Sequence, residues 1–144
     1  MFNLFTCALF RFPKDKFAPM NLNYKIHRRE ESLVEYYEKA LRKKLDKALN
    51  ENNFTQVLIL SNELIEIDSS EAFYYFTRGL SKYKLNNLTG AAIDFTACIN
   101  IKPNEFPDAY YYRGICKFNM NDFQKAAKLK CEPAIVFIQE YSRN

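Results

Sequence analysis

At 144 residues the chain suits one domain or a short repeat array, and it is long enough to bury a core. Only three glycines and five prolines argue against both disorder and a turn-rich all-β fold. A net charge of +4 is too small to imply nucleic acid by itself. That charge is uneven: residues 11–50 hold eleven Lys/Arg against six acids, whereas residues 51–71 hold five acids and no base. Aromatic residues make up 16%, all Tyr and Phe, enough ring surface for a core and for the lining of a groove.

Residues 1–22, with Pro13 and Pro19, show no sustained period and read as an irregular extension ahead of a helical domain at 23–144. Met1 to Phe10 is apolar but lacks a basic start, and Arg11 cuts it short, so neither a signal peptide nor a membrane span is expected. Helical spacing begins near Leu22 or Glu31. Leu33, Tyr37, Leu41, Leu45 and Ala48 carry it to a break at Asn50–Asn53. Phe54, Val57, Leu58, Leu64 and Ile65 mark a second helix to about Ile67. Its breadth of apolar residues suggests that it is sandwiched between neighbours.

Asp68-Ser69-Ser70 offers N-cap chemistry for a third helix at about 70–86. A fourth follows Asn86-Asn87, marked by Leu88, Ala91, Ala92, Phe95, Cys98 and Ile99. After Pro103 and Pro107 a fifth covers about 108–120. A sixth is expected from Asp122, as N-cap, to about Cys131, and Pro133 suits the first turn of a short last helix over 133–142. Turns this short force antiparallel neighbours.

The third and fifth helices are near copies. Arg78-Gly79, Lys82, Tyr83 and Asn86 return thirty-five residues later as Arg113-Gly114, Lys117, Phe118 and Asn121, and Ala91-Ala92 return as Ala126-Ala127. Self-similarity at this period is the mark of stacked repeats. Glycine inside a helix costs about 1 kcal/mol relative to alanine. Gly79 and Gly114 therefore imply close approach of the paired helix, expected at its small alanines.

These residues resemble the tetratricopeptide repeat (TPR). Tyr75, Gly79, Tyr83, Ala91, Phe95 and Pro103 follow its pattern over 72–105, and Tyr110, Gly114, Phe118, Phe123 and Ala126 begin another copy at 107–132. That second copy departs late, with Lys130 where an aromatic is due. A degenerate copy at 38–71 has Leu45 in the glycine place and Ser61 in the aromatic place. The resemblance implies an all-α solenoid of about three helix-turn-helix repeats, whose first helices line a concave surface.

On the third helix that surface would present Phe73, Phe76, Thr77, Leu80, Tyr83 and Lys84. The fifth would add Tyr111, Tyr112, Ile115, Phe118 and Asn119, and the first Arg42 and Lys43, beside Lys39, Asp46 and Asn50. Such a face suits a peptide with apolar anchors. One subset of the family grips a chaperone's terminal carboxylate with basic residues. At the matching places stand Arg42, Asp46, Thr77, Asp108 and Tyr112, which would repel more than attract it.

Nothing points to catalysis. No phosphate-binding glycine loop, nucleophile elbow or paired catalytic carboxylate is present, so no enzyme and no cofactor are expected. His27, the sole histidine, reads as solvated and no metal site is expected. Cys7, Cys98, Cys116 and Cys131 form no C-x-x-C pair and suit reduced thiols of a cytoplasmic protein. Asp94 and Asp108 read as surface or cap residues. Arg78, Lys82, Arg113 and Lys117 read as stems over apolar surface with wet charges.

The expected function is a non-enzymatic adaptor or scaffold that binds a protein or peptide partner. Alternatives are an RNA-binding helical repeat and self-association through uncapped array ends.

Overall fold

The computed structural model describes residues 20–143, with side chains from Leu33 onward. Seven helices are described: α1 (Met20–Asn50), α2 (Phe54–Ile67), α3 (Ala72–Lys84), α4 (Leu88–Ile101), α5 (Pro107–Lys117), α6 (Met120–Lys128) and α7 (Glu132–Tyr141). No strand occurs among the described residues. The extension expected at 1–22 lies outside them except for its last three residues, which open α1; the side chain of His27 lies outside too. The chain divides into two units, residues 1–35 and 36–144, and all the packing below belongs to the second.

Each helix from α2 to α7 packs against the next, as short turns require. Four of the six turns are closed by a residue with a left-handed backbone, Asn52, Asn86, Phe118 and Lys130, with φ of 52°, 64°, 49° and 65°; the α2–α3 and α4–α5 turns have none. Asparagine tolerates this conformation better than most residues, and it holds the first two places. The next asparagine then caps the following helix. Asn53 accepts from the Gln56 N–H, and Asn87 from the Gly90 N–H.

Two helix starts differ from the sequence expectation. Helix α3 begins at Ala72 and is capped by Glu71, whose carboxylate accepts from the Phe73 N–H. Asp68 instead closes α2 and binds the amide and hydroxyl of Ser70. Helix α5 ends at Lys117, not near 120, and α6 is capped by Asn119, not Asp122.

Buried residues gather in two clusters on either side of α3. Leu41, Leu45, Ala48, Val57, Leu60, Leu64 and Tyr74 fill the space among α1, α2 and α3. Ala72, Ala91, Phe95, Cys98, Ile99, Ala109, Tyr110, Ala126, Cys131 and Ala134 fill the space from α3 to α7.

The two glycines do meet the paired helix, but at its phenylalanine rather than at its alanines. A Cβ on Gly79 would lie 3.0 Å from the Phe95 ring and 3.2 Å from Cβ of Asp94; one on Gly114 would lie 3.2 Å from the Phe123 ring. Phe95 is completely buried and has nowhere to move. Gly79→Leu should therefore overpack the α3–α4 pair and cost about 3 kcal/mol, read as a lower melting midpoint.

Phe123 thus does for Gly114 what Phe95 does for Gly79, although it is not the thirty-five-residue repeat of Phe95. Sixteen residues separate Gly79 from Phe95 and nine separate Gly114 from Phe123, a difference of seven. The α5–α6 hairpin is the α3–α4 hairpin with seven residues removed at its tip, two from the first arm, one from the turn and four from the second arm. Seven residues are close to two turns of helix, so the facing side chains stay in phase. This is why Lys130, where an aromatic was due, sits in the α6–α7 turn.

The arginines follow the same shift. Arg78 forks onto Asp94 at 2.9 and 2.7 Å, sixteen residues on, and reaches Asn62 of α2 at 2.9 Å. Lys82 adds a third contact to Asp94 at 2.8 Å. Arg113 forks onto Asp122, nine residues on, and reaches Thr96 of α4 at 3.4 Å. Asp94 is 1% exposed and Asp122 7%. The expectation of a surface Asp94, and of solvated charges on Arg78, Lys82 and Arg113, is corrected: each acid is buried and clasped by part-buried cations, and each clasp spans three successive helices.

Candidate functional site

Helices α1, α3 and α5 lead their hairpins and carry the residues singled out in the sequence. On α3 alternate turns face different neighbours. Thr77 is buried: its hydroxyl shares a 3.0 Å hydrogen bond with that of Ser61 on α2 and donates to the Tyr74 carbonyl at 3.1 Å. Thr77 therefore offers nothing to a ligand. Phe73 is half-buried at the edge of the α1–α3 cluster. Phe76 is half-buried between Phe95 and Phe106, with ring centres 6.0 and 5.5 Å away. Leu80 and Tyr83 are half-buried farther along, and Lys84 is exposed, its ammonium 5.9 Å from the Phe54 ring.

Helix α5 brings its rings against those of α3. Tyr112 stacks on Phe95 at 5.7 Å and lies 5.2 Å from Tyr83. Tyr111 meets Tyr112 at 5.4 Å and Phe123 at 5.8 Å. Both tyrosines and Ile115 keep part of their surface in solvent. Burial raises the pKa of Tyr111 and Tyr112 above that of free tyrosine, so they act as neutral rings with a hydroxyl tip. Phe118 and Asn119 belong to the hairpin tip: Phe118 ends α5 and is 81% exposed, and Asn119 caps α6.

On α1 Arg42 is already engaged. It binds Glu38 at 2.8 Å and lies 5.1 Å over the Tyr74 ring, while the Tyr74 hydroxyl donates to Glu38 at 2.9 Å. This cluster ties α1 to α3. Lys43 is exposed and makes no ion pair among the described residues. The structure thus brings together Phe76, Tyr83, Tyr111 and Tyr112, with Leu80 and Ile115 on the same two helices. It withdraws Thr77 and commits Arg42.

One contribution was missed in the sequence. Helix α7 packs on α6, and its Glu132, Pro133, Val136, Phe137 and Glu140, with Tyr111 of α5, line an open cleft of about 460 Å³. The spacing of Ala134, Phe137, Ile138 and Tyr141 announced the helix. Its other face, with Glu132, Val136 and Glu140, carried no repeat signature.

The thiols of Cys98, Cys116 and Cys131 are poor nucleophiles; Cys7 lies outside the described residues. Burial pushes Cys98 up to about 12 and Cys131 to about 11, the latter also beside the Asp108 carboxylate to which it donates at 3.2 Å. The pKa of Cys116 is raised by burial as well. Only the thiolate attacks, so these groups should react slowly with a disulfide reagent at neutral pH until the chain is unfolded. Because folding raises these values, the unfolded chain loses its thiol protons first. The thiols' contribution to stability should therefore be complete below about pH 9 and be lost as pH climbs from 9 towards 12, a loss that Cys98→Ala should blunt in denaturant titrations.

Among the described residues no group of His, Cys, Asp or Glu is placed to hold a metal ion, and no helix is long and apolar enough to cross a membrane. No family model and no curated protein matches the sequence. Among solved structures, the chain is similar to the first TPR of Spaghetti (RPAP3) bound to HSP90 peptide SRMEEVD. The identity is 16% and the TM-score 0.64, over 74% of this chain and 90% of that one. At that identity the likeness speaks for the fold, and the fold built by α1 to α7 is that of a TPR-like helical-repeat domain.

Proposed function

We propose that the chain is a non-enzymatic interaction module that binds an extended segment of a partner protein along α3 and α5. The observation that carries this reading is the set of half-exposed side chains on the leading helices, Leu80, Tyr83, Tyr111, Tyr112 and Ile115, held by rings packed beneath them. Rigid aromatic surface that keeps one edge in water is what binding hot spots are made of. Phe73 and Lys84 extend the face at one side, Phe118 and Asn119 at the hairpin tip, and Lys43 along α1. The structural neighbour holds a peptide, which supports a peptide as the ligand type. Protonated, buried thiols suit a cytoplasmic adaptor.

The ligand differs from that of the neighbour. Asp46 and Asp108 are exposed, Thr77 is buried and Arg42 is paired with Glu38, so a carboxylate-rich terminus finds no cationic clamp. Peptides selected from a displayed random library on the full chain should be apolar and should ignore SRMEEVD as a competitor. Tyr83→Ala should raise their Kd about tenfold without loss of helical circular dichroism. Binders indifferent to both Tyr83→Ala and Leu80→Ala would overturn the reading.

A further inference from the structure

The cleft along α7 has an apolar floor, made by Tyr111, Pro133, Val136 and Phe137, and a carboxylate at each end of its α7 wall, Glu132 and Glu140. Neither glutamate makes an ion pair or a side-chain hydrogen bond among the described residues, and both are exposed. Glu140 sits in the last turn of α7, where the helix already presents its negative end and no basic residue offsets it. Arg143, three residues on, forms no ion pair with it. A cation placed there would satisfy both the carboxylate and the helix terminus.

Spacing defines what would fit. Glu132 and Glu140 are eight residues apart, about 12 Å along a helix that rises about 1.5 Å per residue. Val136 lies midway on the same wall. In an extended chain, residues i, i+2 and i+4 point to one side, and i and i+4 are about 13 Å apart. From this match we infer that the cleft docks an extended peptide bearing Lys or Arg at i and i+4 around an apolar residue at i+2. The apolar side chain covers Val136 and Phe137, and each cation meets one glutamate. This inference rests on the peptide-binding reading and gives it a polarity: basic and apolar segments are selected, acidic ones refused. The chain carries a net charge of +4, so attraction of a cationic peptide has to come from a local site.

The test is fluorescence anisotropy on the full chain with a labelled peptide, Gly-Ser-Lys-Ser-Leu-Ser-Lys-Ser-Gly, and its counterpart with Glu replacing both Lys. The lysine peptide should bind at least about tenfold tighter than the glutamate one, and less so as salt is raised. Glu132→Gln with Glu140→Gln should abolish that preference, whereas Glu66→Gln, on the exposed side of α2, should leave it intact. Equal binding of the two peptides, or a preference that survives the double substitution, would refute the cleft's assignment. If library-selected peptides still depend on Tyr83 in that event, the interaction module stands and only its charge preference falls. If they depend on neither Tyr83 nor Leu80, both readings fall together.

Discussion

Phe95→Ala is expected to cost about 3–5 kcal/mol, enough to lower the melting midpoint by roughly 10–20 °C in a domain of this size. The ring is fully buried. It fills the hollow over Gly79, stacks under Tyr112 and abuts Phe76. Its removal leaves a void that neighbours on three helices cannot close, because each is pinned by its own hairpin. Phe95→Leu, which keeps most of the volume, should lose much less. A midpoint in the alanine variant within a few degrees of the parent would mean that the glycine–ring seam does not hold the repeat together.

Asp94→Ala should be nearly as damaging, at about 3 kcal/mol, for a different reason. The carboxylate is buried and takes three donors from Arg78 and Lys82, whose side chains are 19% and 23% exposed. Removing it leaves two cations facing each other across an apolar seam. The partial exposure of both lets water relieve some of the strain, which places the estimate at the low end of the range for broken buried pairs. Replacing the whole group, Asp94→Leu with Arg78→Met and Lys82→Met, should recover most of the loss, since burial of charge itself contributes little net stability. Chemical denaturation of the single and triple variants separates the two effects.

The helices and their pairing were legible in the sequence because apolar periodicity, asparagine turns and proline starts all agree. What escaped was the register of the third hairpin. Asp122, expected as the cap of α6, stands thirty-five residues after Asn87, the cap of α4; only the packing of Phe123 on Gly114 reveals the excised turns. For the same reason the acid partners of Arg78 and Arg113 could not be paired by repeat position. The groove was legible as a list of residues but not as a surface. Periodicity gives the direction of a side chain and says little about whether a neighbour such as Ser61 or Glu38 has already engaged it.

The shortened third hairpin also sets a rule for how arrays of this kind can be resized. Removing seven residues across the tip, close to two turns, returns each surviving residue near its former bearing, so a ring again finds the glycine and an acid the arginine. An edit of three or five residues would swivel that interface away from its mate. Insertion of a heptad near the α5–α6 tip should therefore be tolerated where a pentad is not, and length becomes a quantity that hairpin engineers can adjust in steps.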